Sequence, residues 1–340
     1  MAMRTTDAKG YYKPFRFPWA FEAYQVQQKM HWIPEEVPMH DDVKDWNTKL
    51  SKPKKNLLTQ LFRFFTTGDM DIGQAYIDKY MQFFKNEEIR MMLAAFTNME
   101  AVHANAYSLL MDTVGMPEAE YKAFRDYEAM AAKHDYLDQF NVDDEREAAK
   151  ALAVYSAFTE GLQLFSTFAI LMNFSRFGEM KGMTQIVTWS IRDESLHVES
   201  MIRLFREFVA ERPHVWDDEL KGQIYTICKT MVDLEDKFID LAFEQGGIDG
   251  LTPEEVKLYI RYIADRRLNA LGLKAIYEIE KNPLDWLDYI MNGVEHTNFF
   301  ENRATEYAKG ALRGTWADVW ATHEDKDAMG DFPVLVNETA

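Results

Sequence analysis

From about Asn47 onward, apolar residues recur at spacings of three and four, the signature of helices that bury one face. Leu50, Leu57, Leu58, Leu61, Phe62 and Phe65 form the first run, and Thr66-Thr67-Gly68 reads as a break. A second run covers 69–84 and a third 87–114. A polar stretch at 117–144 is itself partly helical through Tyr121, Phe124, Tyr127 and Met130. The pattern then predicts long helices over 145–174, 184–211, 215–243 and 252–273, and a shorter one near 286–291. No strand-like alternation and no internal repeat stand out, so the chain reads as all-α. Residues 1–46 carry aromatics and four prolines without a sustained period, an arm packed on the bundle of 47–310. Residues 311–340 turn polar and finish in the apolar Phe332-Pro-Val-Leu-Val336, a flexible tail suited to docking a partner.

Composition narrows the class. Only 16 glycines and 10 prolines in 340 residues argue against turn-rich sandwiches and barrels. The 38 basic and 56 acidic residues leave a net charge of −18, a field that repels phosphates. Nucleic-acid and anionic-membrane binding are therefore not expected, and Lys52-Pro-Lys-Lys55 is the sole basic patch. Cys228 is the single cysteine, which excludes an intramolecular disulfide or a thiolate metal cluster. The first ten residues lack the apolar core of a signal peptide, and the longest apolar run, 162–174, is interrupted by Gln163, Ser166, Thr167 and Asn173. A cytoplasmic protein is the expectation.

The candidate chemistry lies in Glu-x-x-His, which occurs as Glu100–His103, Glu194–His197 and Glu211–His214. Positions three apart share a helix face, so both side chains can reach one metal ion held between helices. Pro213 disrupts the third copy, and Arg212 and Glu207 suggest a solvated end there. The first two sit mid-helix among Met99, Val102, Trp189, Ile191 and Leu196. Buried Glu and His are expensive unless paired or metal-bound. Glu160 is the only acid in a long apolar stretch between them. A ferritin-like dinuclear site needs one further carboxylate upstream, from Asp69 or Asp71. Four carboxylates balance two divalent cations with neutral imidazoles, and this donor set suits iron or manganese.

These residues, with Trp32-Ile-Pro-Glu-Glu-Val37, Arg192-Asp-Glu-Ser-Leu-His197 and Asn298-Phe-Phe-Glu-Asn-Arg-Ala-Thr-Glu-Tyr307 in that order, resemble the radical-generating small (beta) subunit of class I ribonucleotide reductase. The likeness spans roughly residues 32–307 and implies a ferritin-like bundle. It also implies a metal set of Asp69, Glu100, His103, Glu160, Glu194 and His197, with Asp69 preferred to Asp71. Tyr107, one turn beyond His103, matches the radical-bearing tyrosine. Asp193 would link His103 to Trp32, and Tyr307 would pass the radical to a large catalytic (alpha) subunit. Leu164, Phe165 and Phe168 would shield the oxidised tyrosine. The family uses two irons, two manganese ions or a mixed pair, and Thr-Thr-Gly-Asp69 looks more like its metal-variable branches. A homodimer is implied, and the nucleotide binds elsewhere. A ligand-binding oxidase of the same superfamily and an iron-storage bundle are the rival readings.

Overall fold

Local signals start and stop the helices of the computed structural model, which describes residues 3–290. Pro18 opens α1 (Pro18–Lys29), and α2 (His40–Thr48) follows a single 3-10 turn. Ser51 caps α3 (Lys52–Gln74) by accepting from the Lys54 N–H. A π-helical stretch, Ala75–Tyr80, and the turn α4 (Met81–Phe83) prolong it. After α5 (Glu87–Thr113) come the short α6 (Ala119–Lys122) and α7 (Glu128–Leu137). Asp144 caps α8 (Glu145–Leu152), which continues through a second π-helical stretch, Ala153–Gln163, into α9 (Leu164–Ser175). The remaining helices are α10 (Lys181–Ala210), α11 (Asp218–Ala242) and α12 (Pro253–Leu271). A Thr252/Glu255 capping box starts α12, and Gly272, at φ 90°, ends it. Among the described residues there is no strand, only an isolated bridge between Ile248 and Leu251.

The packing follows the apolar faces. α3 and α1 both pack against α5, and α10, α11 and α12 pack around the rod formed by 145–175. That rod is buried almost throughout, from Ala148 to Phe174, which explains its lack of a polar face.

Two expectations need correction. Thr66-Thr67-Gly68 does not break the helix: α3 runs through it. The Thr66 hydroxyl donates back to the Phe62 carbonyl, and a β-carbon at buried Gly68 would meet only the Phe64 ring, 3.8 Å away. Tertiary packing here outweighs weak helix propensity. Within the segment read as an arm, α1 buries Trp19, Ala20, Ala23 and Gln27, small and polar residues among them, so its helix shows no period in the sequence. The segment after α10 is solvated only in part: Arg212 is buried against Glu145, Glu211, Thr6 and the Phe208 carbonyl, whereas Pro213 and His214 are exposed.

One long-range cap positions the helix that matters most. Buried Asp42 on α2 accepts from the Gly182 and Met183 N–H groups, both at 2.8 Å, and so satisfies the first turn of α10. Asp45 accepts from the Met180 N–H just upstream. This cap begins α10 three residues before the expected start at 184.

Candidate metal centre

Four helical segments converge on one buried cluster. α3 contributes Asp69, α5 Glu100 and His103, the second π-helical stretch Glu160, and α10 Glu194 and His197. All six side chains are buried. Ligand atoms of Glu100, Glu160, Glu194 and His197 all lie within 4.8 Å of one another. His197 Nδ1 is 2.9 Å from Glu100 Oε1, and His103 Nδ1 is 3.1 Å from Glu194 Oε1. Asp71 points elsewhere, to His134 Nδ1 at 2.7 Å. His214 is exposed and 3.1 Å from Glu145, outside the cluster.

Charge and hydrogen bonding test whether metal ions fit. Asp69 Oδ2, both oxygens of Glu100 and of Glu194, Glu160 Oε2 and His197 Nδ1 have no hydrogen-bond partner. The close approaches are therefore ion-pair distances without hydrogen-bond geometry. Seven buried polar atoms without protein partners are costly, and a cation among them removes the cost. Without one, protons substitute. Burial and the nearby Glu100 carboxylate push Asp69 well up, and burial with Glu194 and Glu100 does the same to Glu160. Burial disfavours a charged imidazole, yet Glu194 and Glu100 lift His197 to about 10. Burial would raise Glu194, but the His197 and His103 rings hold it at about 2. The donor set thus fits two divalent ions, with Asp69, Glu100, Glu160 and Glu194 matching their four charges.

The outer contacts fix which imidazole nitrogen faces inward. His103 Nε2 is 3.2 Å from Asp193 Oδ2, and His197 Nε2 is 3.1 Å from Gln27 Oε1, so both rings present Nδ1 to the cluster. Asp193 also accepts from the Trp32 indole N–H at 2.8 Å and from the Gln27 amide at 3.2 Å. Trp32 in turn packs on Trp189, with ring centroids 5.1 Å apart. At Glu160, the Tyr76 hydroxyl donates to Oε1 at 2.5 Å.

Tyr107 is buried, and its hydroxyl has no hydrogen-bond partner. Burial and the charge of Asp69 raise its pKa well above the ordinary phenol value. The ring stacked directly on it is Phe65. Phe168 packs behind Phe65 at 5.2 Å, and Phe165 lies further out under the Arg267 guanidinium. Sequence reasoning thus missed Phe65, Gln27 and Tyr76 as neighbours of the cluster. Phe65 lies four residues before Asp69, one helical turn, and that spacing was a usable signal. Gln27 and Tyr76 carried none. Tyr307 and the tail 311–340 lie outside the described residues. No described helix is long and apolar enough to cross a membrane.

Known proteins resemble this chain over most of its length. Residues 10–283 match the family described as "Ribonucleotide reductase, small chain". The chain is 44% identical to the "Probable ribonucleoside-diphosphate reductase small subunit 376L" of Invertebrate iridescent virus 6, over 94% of this chain and 99% of that one. It is 30% identical to the ribonucleoside-diphosphate reductase subunit beta of Chlamydia pneumoniae, over 86% and 88% of the two chains. The ribonucleotide reductase R2 subunit from Clostridium botulinum superposes with a TM-score of 0.76 at 25% identity, covering 81% of this chain and 89% of that one. The dimanganese(II)-NrdF of Streptococcus sanguinis shares the fold at a TM-score of 0.69 and 21% identity, over 79% and 95%. The chain belongs to the ribonucleotide reductase small-chain family, as the radical-generating subunit whose dinuclear metal site provides a one-electron oxidant to a large catalytic subunit.

Proposed function

We propose that Asp69, Glu100, His103, Glu160, Glu194 and His197 hold two metal ions, as Fe/Fe, Mn/Mn or a mixed Mn/Fe pair, and that Tyr107, Trp32, Asp193 and Tyr307 carry the oxidising equivalent outward. When bound, the metal pair would supply a one-electron oxidation of this chain. The hydrogen-bonded sequence His103, Asp193, Trp32 is the observation that carries the reading. Asp193 is held below its ordinary value against burial by His103, Arg192 and Trp32, so it stays an anion able to accept from both rings. Trp32 is buried and packs at a tilt against Trp189, which keeps water from its indole. Phe65 covers Tyr107 with a ring that is itself hard to oxidise.

In this reading the protein works as a cytoplasmic homodimer, and residues 311–340 dock the large subunit through Phe332 to Val336. Deleting residues 318–340 then weakens that binding while metal content is kept. The direct test of the path is Trp32→Phe, which keeps an aromatic ring but removes the N–H donor and the readily oxidised indole. Metal content and large-subunit binding are expected to stay at wild-type level while ribonucleotide reduction falls to background. Reduction at the wild-type rate would refute the path.

A further inference from the structure

Glu160 differs from the other cluster carboxylates in depending on irregular backbone. Asp69, Glu100 and Glu194 project from ordinary α-helices, whereas Glu160 sits inside the π-helical Ala153–Gln163. Two bonds with a five-residue reach display the wide turns. The Thr159 hydroxyl donates to the Val154 carbonyl at 3.1 Å, and the Leu164 N–H that closes the segment goes to the Thr159 carbonyl. Relaxation to α-helical pairing would turn Glu160 by about 100° relative to one flank of the rod, since each residue advances about that much around an α-helix. π-helical pairing is rare, so contacts from outside the rod have to stabilise it.

One such contact falls beside Glu160. Arg267, on α12, donates from Nε to the Gly161 carbonyl at 2.7 Å, and its guanidinium lies 5.1 Å over the Phe165 ring. With Arg267 in this position, a side chain at residue 161 would crowd it. A β-carbon at residue 161 would lie 2.7 Å from Arg267 Nε and 3.1 Å from the Ser156 carbonyl oxygen. The charged donor is therefore seated in the notch that the missing side chain leaves, one residue from a cluster carboxylate.

We infer that Arg267 is a positioning residue for the metal site: by holding the Gly161 carbonyl it keeps this stretch in its wide turns and Glu160 aimed at the cluster. The inference rests on the ligand set proposed above. Its test is a titration of the metal-free protein with manganese(II) alone, following the free ion by electron paramagnetic resonance, alongside circular dichroism and thermal melting. Wild-type protein should bind two ions per chain. Arg267→Met should keep its helicity yet bind its weaker ion about tenfold less tightly, the scale expected when support for a metal ligand is removed. Arg267→Lys, which can still reach the carbonyl, should recover most of that loss. Gly161→Ala should mimic Arg267→Met, and the double variant should be no worse than either single one, because both break one contact. Wild-type affinity for both ions in Arg267→Met overturns the inference. Should that variant not fold, Gly161→Ala takes its place with the same two outcomes. Wild-type protein that does not bind two ions instead refutes the ligand set.

Discussion

Phe65 lies flat against Tyr107, with ring centroids 4.2 Å apart and planes within 8° of parallel. One α3 residue thus covers the face of the tyrosine one turn before the same helix presents Asp69 to the cluster. The stack gives Tyr107 an apolar wall with no proton donor and no easily oxidised group, while its hydroxyl lacks a partner. Once oxidised, a tyrosine held this way is shielded from reductants in the solvent.

Tyr107→Phe is accordingly expected to fold and load metal normally, because it removes only an unpaired buried hydroxyl, a change that is nearly neutral for stability. Ribonucleotide reduction in the presence of the large subunit should fall to background, and the tyrosyl signal in a low-temperature electron paramagnetic resonance spectrum should vanish. Retained reduction would move the stored oxidant to the metal ions themselves.

The cap on α10 is testable through Gly182. A β-carbon there would lie 2.6 Å from Asp42 Oδ2 and 2.9 Å from the Pro38 carbonyl oxygen, so Gly182→Ala has to displace the capping carboxylate and the Pro38 backbone. The expected loss is about 1–3 kcal/mol, as for other overpacked sites, read as a lower thermal midpoint. Metal content should fall with it if the cap helps aim Glu194 and His197, which lie on the same helix.

Outside the metal site, Lys133 and Glu235 form a buried ion pair at 2.7 Å, with Ser166 also bonded to the carboxylate and the ammonium 3.6 Å over the Phe64 ring. Burial raises Glu235 from its ordinary 4.5, and the Lys133 charge partly offsets that. Lys133→Met leaves the carboxylate unpaired, which is expected to destabilise by about 3–5 kcal/mol at neutral pH. Its pKa then rises further. A raised folded-state carboxyl pKa carries a penalty that is present above that pKa and absent below the unfolded value. The melting deficit of Lys133→Met should therefore be larger at pH 8 than at pH 5, and an equal deficit at both would contradict the pairing. Replacing both partners, by Met at 133 and Leu at 235, should restore most of the loss.

How much of this was legible in the sequence follows from the range of each interaction. Glu100 with His103 and Glu194 with His197 could be read directly, because a spacing of three becomes a shared face as soon as a helix forms. Glu160 stood out as a lone acid in an apolar run. The π-helical turns that aim it did not, since their pairing changes by one residue without altering hydrophobic periodicity. Gln27 reaches Asp193 across 166 residues and Asp42 reaches Gly182 across 140, and one sequence carries no local trace of such contacts. The Thr66-Thr67-Gly68 misreading has the same origin. Local propensity pointed to a break, and the packing of α3 against α5 overrode it.

The central claim is that six side chains from four helical segments hold two metal ions as one unit, and metal content per chain tests it most directly. Elemental analysis of protein purified from its native host should give two ions of iron, manganese or both for the wild type and for His214→Ala, whose imidazole lies outside the cluster. Glu160→Ala and His197→Ala, folded by circular dichroism, should each hold fewer than two. Full occupancy in both of those variants, or loss of metal in His214→Ala, would contradict the site.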